Sequence, residues 1–408
     1  MSSRPVVFRA AVALLGAGVV HLAGAAGEPE YPSSDAGYIE VGAIHVRPGL
    51  ELKNVGYDSN VFLSPDQEEG DYTATLSPSV EAVTLFGHRG RLDLSQTIDL
   101  VAFLETSSQN HVDSETSSSW DIFFGDFTYS GGLDLLTRKL RPNDELTERI
   151  REEDGEFSGQ IAWEPSVRTE LFFRAEGRTV DFSGDARPFG KSVTDLNRDE
   201  VHLSLGGRLP LRPKTDALFQ VEREVIRHDR EELGRDATAW RVVQGLRFDP
   251  QAIIGGELRF GVLHFDPDSQ ARTGFDGMIG RASLSTRLGR RLVLRGWFNK
   301  DLVFSIFGDN LFYLSRSTGL EATTSFTRRF SLLLGGSISE NNYAEPVNFS
   351  AFQGIRQDRI RSAWVGWSFA PAGAPRFGLQ IRRRQRESNF DLANDRQVLV
   401  TGNATYTF

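Results

Sequence analysis

The sequence predicts an all-β protein, a transmembrane antiparallel up-and-down β-barrel of about 18 strands. Three observations predict it. Extended segments of the 408-residue chain alternate apolar with polar residues at a period of two. The connections between them alternate between short and long. Aromatic residues collect where strands run into the short connections. Composition agrees: the chain is 39% hydrophobic and 11% aromatic with 40 glycines, and its mean hydropathy of −0.31 suits a barrel in which only alternate residues meet lipid.

Taken in order, residues 1–25 read as a signal peptide. Arg4 and Arg9 precede an apolar run from Ala10 to Val20, and the small residues Ala23, Gly24, Ala25 and Ala26 follow. Charged, apolar and then small is the order of a secretory signal, with cleavage near Ala25/Ala26. Residues 26–45 read as a short periplasmic N-terminal segment and residues 46–408 as the barrel. No later segment holds the roughly 18 unbroken apolar residues of a membrane-crossing helix.

Within the barrel, Tyr72, Leu76 and Val80 share a face, as do Leu92, Leu94, Ile98 and Leu100, then Leu171 and Phe173, Val201, Leu203 and Leu205, and Leu258, Phe260 and Val262. The final segment, QVLVTGNATYTF, keeps the alternation to its last residue. Short connections include FGHRGR, WEPSVR, LPLRPK and FTRRF. Long polar ones include ETSSQNHVDSETSSS, RPNDELTERIREEDGE, SGDARPFGKSVTDLN and SENNYAEPVNFSAFQGIRQ. Short periplasmic turns and long extracellular loops are the habit of outer-membrane barrels. Phe86, Trp163, Phe248, Phe326, Phe369 and Phe408 form the expected aromatic girdle on the short-turn side. The weakest strand is GGLDLLTRKL (131–140); without it and one partner the count falls to 16. Outer-membrane lipid and lipopolysaccharide, and the outer-membrane assembly machinery, are the partners that follow.

If the apolar faces meet lipid, the opposite faces line the bore. That places Arg382, Arg384 and Arg386 on one strand, with Arg295, Arg259, Arg174, Arg178, Glu176, Glu257, Trp297 and Trp364 elsewhere. So many charges require a wet interior. Most read as braces of the wall. Three like charges on one strand face repel one another, so Arg382, Arg384 and Arg386 read as a path for anions.

Other chemistry is thinly represented. The net acidity, 46 Lys and Arg against 55 Asp and Glu for a formal charge of −9, argues against nucleic acid. The absence of cysteine removes disulfides and thiolate sites. The histidines show no metal-ligand spacing, no cofactor motif stands out, and GDARPFGKS (184–192) has one residue too many for a phosphate loop. The acidic run Asp144 to Glu156 reads as a solvated loop. His202 and Ser204 share a face, as in an outer-membrane phospholipase, but oppose Val201, Leu203 and Leu205 and so point to the lumen. A lipid hydrolase is the weakest alternative, and the chain reads as no enzyme.

GYDSNVF, with Tyr57, Asp58, Asn60 and Phe62, follows the first strand PGLELKNV. It resembles the opening of the Putative beta-barrel porin 2 family of Gram-negative outer-membrane proteins, and the resemblance extends over the strand rhythm from Val46 to Phe408. It implies an outer-membrane channel. Because some members sit in exopolysaccharide gene clusters, it also implies passage of an extracellular, acidic polysaccharide, with periplasmic polysaccharide-export components as partners. The alternatives are a general small-solute porin and a structural barrel with a plugged lumen.

Overall fold

The computed structural model describes residues 37–184, 192–307, 310–349, 352–371 and 375–407. The signal segment, Phe408 and most of the GDARPFGKS loop lie outside them. A short β1 (Ile39–Val41) pairs with the start of β2 (Ile44–Asp58). There follow β3 (Asp71–Leu85), β4 (Gly90–Phe103), β5 (His111–Phe124), β6 (Phe127–Leu140), β7 (Ile150–Ser166), β8 (Thr169–Ser183), β9 (Arg198–Arg212) and β10 (Thr215–His228). After these come β11 (Ala237–Phe248), β12 (Ile254–Pro267), β13 (Phe275–Leu288), β14 (Leu292–Phe304), β15 (Phe312–Ser325) and β16 (Phe330–Tyr343). A small hairpin, β17 (Val347–Phe349) and β18 (Phe352–Gly354), sits in the next loop. β19 (Gln357–Phe369), β20 (Arg376–Ser388) and β21 (Asp395–Thr407) complete the chain.

β2–β16 and β19–β21 are 18 wall strands, each antiparallel to its sequence neighbours. The ring closes where β2 pairs with β21, from Gly49↔Thr407 to Asp58↔Leu399. Residues 131–140 belong to β6, so 18 is the count and not 16. That strand reads poorly because Gly132 and Leu136 stand on its inner face, where polar residues were expected.

The outer face is apolar and open: Leu205 is 62% exposed, Met278 63% and Leu320 59%. Apolar exposure on this scale around a whole wall matches a hydrocarbon surround and not water. At the turn side Phe86, Trp163, Phe326 and Phe369 stand exposed on the outer rim, with Phe248 half-buried beside them. The turns are tight: only two residues separate β5 from β6, where Gly125 has φ +60°, and likewise β7 from β8 and β9 from β10.

Two expectations about the loops fail. His111–Phe124 is wall strand, so the loop before it is only residues 104–110. Its outer positions Ser114, Thr116 and Ser118 are polar, with Gln96 of β4 donating to Ser114 Oγ at 3.1 Å, and this erased the alternation. Ile150–Glu156 likewise belongs to β7. Glu152 and Asp154 point inward and are buried against Arg138 and Arg178, so the acidic run is not a solvated loop.

The closing seam carries the GYDSNVF string. Asp58 accepts both bonds from Gln397 Nε2 (2.8 and 2.9 Å) and one from the Asn60 N–H. Asn60, fully buried, donates to the Arg396 carbonyl at 3.0 Å and exchanges bonds with Ser64. Tyr57 faces outward against Tyr72, ring centroids 5.2 Å apart, and Phe62 is half-buried. The register shifts in β2 around Asn54, which has φ +55°, and brings Gly56 so close that a Cβ would enter the Val400 carbonyl oxygen. Gly56→Val should therefore strain the seam by about 1–3 kcal/mol, read as an earlier urea midpoint for the detergent-folded barrel, whereas an unchanged midpoint would mean that the seam tolerates the side chain.

Candidate functional site

The interior divides into a dry half at the loop side and a wet half at the turn side. The dry half is built from segments that fold into the mouth. β13 and β14 pair only from Gly280↔Lys300 to Leu288↔Leu292, while β14 and β15 stay paired up to Phe304↔Phe312. The tip of the β14–β15 hairpin has thus left the wall. Phe312 packs edge-on against Phe265 (5.3 Å) and Phe275 (6.0 Å) of the inner face of β12–β13. The tip's Ile306, Phe307 and Tyr313 join Ile150 and Phe182 of β7–β8 to Tyr343 and Phe390 across the bore, all at most 4% exposed. Apolar burial drives the tip inward, since its residues could find no dry surroundings above the membrane.

Segment 141–149 locks it there. Ser305 Oγ donates to Glu145 at 2.6 Å and the Ile306 N–H at 2.5 Å, and Asn143 donates to the Phe304 carbonyl at 3.1 Å. Arg235 donates to the Ser305 carbonyl. Arg356, fully buried, holds Asp358 at 2.9 and 2.6 Å and lies against the rings of Tyr343, Phe390 and Phe307. Dryness shows in the charges. Burial pushes the Glu145 carboxyl up, against the pull of Arg356, and brings the Arg141 and Arg235 guanidiniums down, to about 9 and about 10.

The same segment reaches both sides of the ring. Arg141 and Arg149 donate to the Val61 carbonyl at 2.5 and 3.1 Å, and Arg149 stands 3.8 Å from Asp58. Asp144 meets Asn341 of β16 at 3.2 Å and Arg384 of β20 at 3.5 Å, and its carbonyl accepts from Arg386. Arg384 and Arg386 both pair with Asp395, which is buried. Of the three arginines read as an anion path, Arg386 is 2% exposed and clasps the inner segment, Arg384 is half-buried beside it, and only Arg382 opens on the bore. Neighbouring strands and an inward loop supplied the counter-charges that one strand's sequence could not show.

Among the cavities of the wet half, two of about 740 and 650 Å³ share Arg281 and Ser283. Much of the inner wall is braced. Arg174 meets Gln160 (2.8 Å) and Glu176 (3.3 Å), Arg178 meets Asp154 (2.5 Å) and Glu200 (3.5 Å), and Arg259 meets Glu257 (2.5 Å). Arg241 binds Glu222 at 2.9 Å and also Glu224. Arg281, Arg295 and Arg382 differ. They are exposed on the bore, and among the described residues none has a carboxylate within ion-pair distance. Glu321, directly across from Arg295, instead accepts the Trp364 Nε1–H at 3.3 Å. Arg281, which its parity on β13 sets inward, lines the cavity beside them. Trp297 and Trp364 line the larger of these cavities.

His202 stands among Glu222 (3.4 Å), Glu200 (3.6 Å) and Glu224 (3.9 Å), and Ser204 accepts from Gln220 at 3.2 Å. Glu200, His202 and Glu224 bring ligand atoms within 4.8 Å of one another, a metal-like set that histidine spacing did not reveal, because the register His202↔Glu224 creates it. Arg198, Arg178 and Arg241 already neutralise these carboxylates.

An edge-free 18-strand wall with an apolar outside, a charged inside and a narrowed mouth defines an outer-membrane channel of the porin class. The chain belongs to the Putative beta-barrel porin 2 family, whose model matches residues 32–406. Among solved structures it is similar in fold to a BenF-like porin from Pseudomonas fluorescens Pf-5 (TM-score 0.51, 12% identity, 89% of this chain and 98% of that one). OpdQ of Pseudomonas aeruginosa (TM-score 0.51, 12% identity, 89% and 97%) and the outer membrane protein opdK of the same species (TM-score 0.50, 10% identity, 89% and 99%) are also similar. No curated protein matches the sequence. Family and fold are channel-like, and they place the chain in the outer membrane of a Gram-negative bacterium.

Arg386→Ala should leave Asp395 short of a partner and free the 141–149 segment, costing about 3 kcal/mol in urea unfolding and opening that segment to protease; unchanged stability and cleavage would deny it the clasp. Glu145 gives a pH dependence. Its folded carboxyl holds its proton to higher pH than the ordinary 4.5, so its contribution is complete below that value and declines as pH rises through the raised one. Single-channel conductance should rise as pH climbs above the ordinary 4.5 in the native protein and stay flat in Glu145→Gln; identical titrations would exclude Glu145 as the cause.

Proposed function

We propose that this protein is a passive channel for small solutes with a preference for anions. The observation that carries the reading is the exposed trio Arg281, Arg295 and Arg382, without ion-pair partners among the described residues, in the wet half of the bore. Guanidiniums in a narrow, low-dielectric-walled passage raise the local anion concentration and lower the barrier to anion entry. The paired residues Arg174, Arg178, Glu176, Arg259 and Glu257 contribute little net field and serve as wall braces. Export through the secretory pathway, with cleavage near Ala25/Ala26, insertion by the assembly machinery and contact with lipopolysaccharide belong to the same reading.

Passage of an extracellular polysaccharide is the second reading, with periplasmic export components as partners. It draws support from the two inward indoles, whose faces suit sugar rings, and it requires the dry segments to leave the mouth. A strain lacking the gene would show it, losing surface polymer while keeping its uptake of small anions.

In planar bilayers under a salt gradient, the zero-current potential should report anion preference. Replacing Arg281, Arg295 and Arg382 together by Gln should lower the anion-to-cation permeability ratio by roughly threefold or more. An unaltered potential would remove the trio from selectivity, and an absence of conductance steps would remove the channel.

A further inference from the structure

Trp297 and Trp364 are seated in an unusual way. Trp297 of β14 lies over Gly319, its direct cross-strand partner on β15, so closely that a Cβ on Gly319 would fall inside the indole. Trp364 of β19 lies in the same manner over Gly335, its partner on β16. β15 and β16 are neighbours, so the two indoles pave one stretch of wall from opposite sides. Their planes are inclined by 29° and their centroids lie 6.0 Å apart, an offset arrangement. The Glu321 carboxylate fixes the rotation of Trp364 through its Nε1–H, and the Arg382 guanidinium rests 5.4 Å from the centre of that ring. Arg281 and Arg295 stand in the same 740 Å³ cavity.

A packing role alone does not account for this. Aromatic rings over strand glycines do protect the backbone, but here two of them meet at an open cavity, beside guanidiniums that among the described residues pair with no carboxylate. A rigid apolar platform loses little entropy when a flat ring settles on it. A guanidinium at its rim can take a carboxylate through two parallel N–H bonds.

We propose that the Trp297–Trp364 pavement with Arg281, Arg295 and Arg382 is a binding site in the bore for a carboxylate carried on a six-membered ring with an apolar face. Two sources share this chemistry, sugar acids, whose C–H faces stack on indole, and aromatic acids. The proposal rests on the channel reading for its physiological meaning, but the binding itself does not require conduction. The site would hold its solute briefly between the wet half and the narrowed mouth, which is how a channel gains selectivity without tight binding.

Calorimetry on the purified barrel in detergent tests it with four probes: trigalacturonate, benzoate, acetate and galactose. At least one ring acid should bind about tenfold or more tightly than acetate and galactose, and which one does so identifies the source. Trp297→Leu should lose that advantage while leaving acetate unchanged, and Trp297→Phe should restore part of it. Arg295→Gln should weaken every anion. In bilayers the favoured acid should block current transiently in the native channel and not in Trp297→Leu. Equal affinity for acetate and both ring acids overturns the proposal, as does failure of both ring acids to bind a barrel that conducts normally; that second outcome leaves the channel reading intact. Binding without any conductance would do the reverse, supporting the site and removing the channel.

Discussion

A sheet in hydrocarbon cannot keep an edge. Each unpaired N–H and C=O on a bare strand would stand in lipid without a partner, at a cost of several kcal/mol per group. The ladder between β2 and β21 removes that edge, and the rest of the molecule presupposes it. At its loop-side end the ladder is secured by side chains as well as backbone. Asp58 takes Gln397, Asn60 takes the Arg396 carbonyl, and Ser59 exchanges bonds with Val398. The string that marks the family opening is therefore a clasp between the two ends of the barrel. Its carboxylate and carboxamide are the acceptor and donor that the last strand requires, and they say nothing about the solute.

Once the ring is shut, burial inside it follows two rules. At the turn side charges stay hydrated, and most pair across neighbouring strands at modest energetic consequence. At the loop side the hairpin tip and segment 141–149 exclude water, so every charge that remains must be met. Arg356 with Asp358, and Arg384 and Arg386 with Asp395, satisfy this condition. One residue type thus does different work a few residues apart on β20. Arg386 is a clamp in a dry interior, while Arg382, two positions on from the half-buried Arg384, faces open space.

Much of this was legible in the sequence. A period of two gave each strand with a mixed face, and parity placed Arg382, Arg174 and Trp364 inside. It failed where both faces of a strand are polar, as in β5, or where inward acids merge with a loop, as at Ile150–Glu156. It also could not separate a braced arginine from a free one, because the counter-charge arrives through register, as with Arg178 and Asp154, or through a distant segment, as with Arg386 and Asp144. The departure of the β14–β15 tip from the wall left no mark in alternation. Phe304 and Phe312 are ordinary strand residues whose apolar character suits lipid and a dry interior equally.

Segment 141–149 leaves the wall between β6 and β7, is tied to Val61 beside the seam, and ends on β16 and β20 across the ring. A hoop of 18 strands is mechanically soft, and lateral pressure from the surrounding lipid tends to flatten it. A spoke fixed at three points of the circumference resists that ovalisation. The segment that narrows the mouth is then also what keeps it round, so it cannot swing clear without letting the rim collapse toward an ellipse. The aperture available to a solute is bounded by the stiffness of the cylinder as well as by the size of the obstruction.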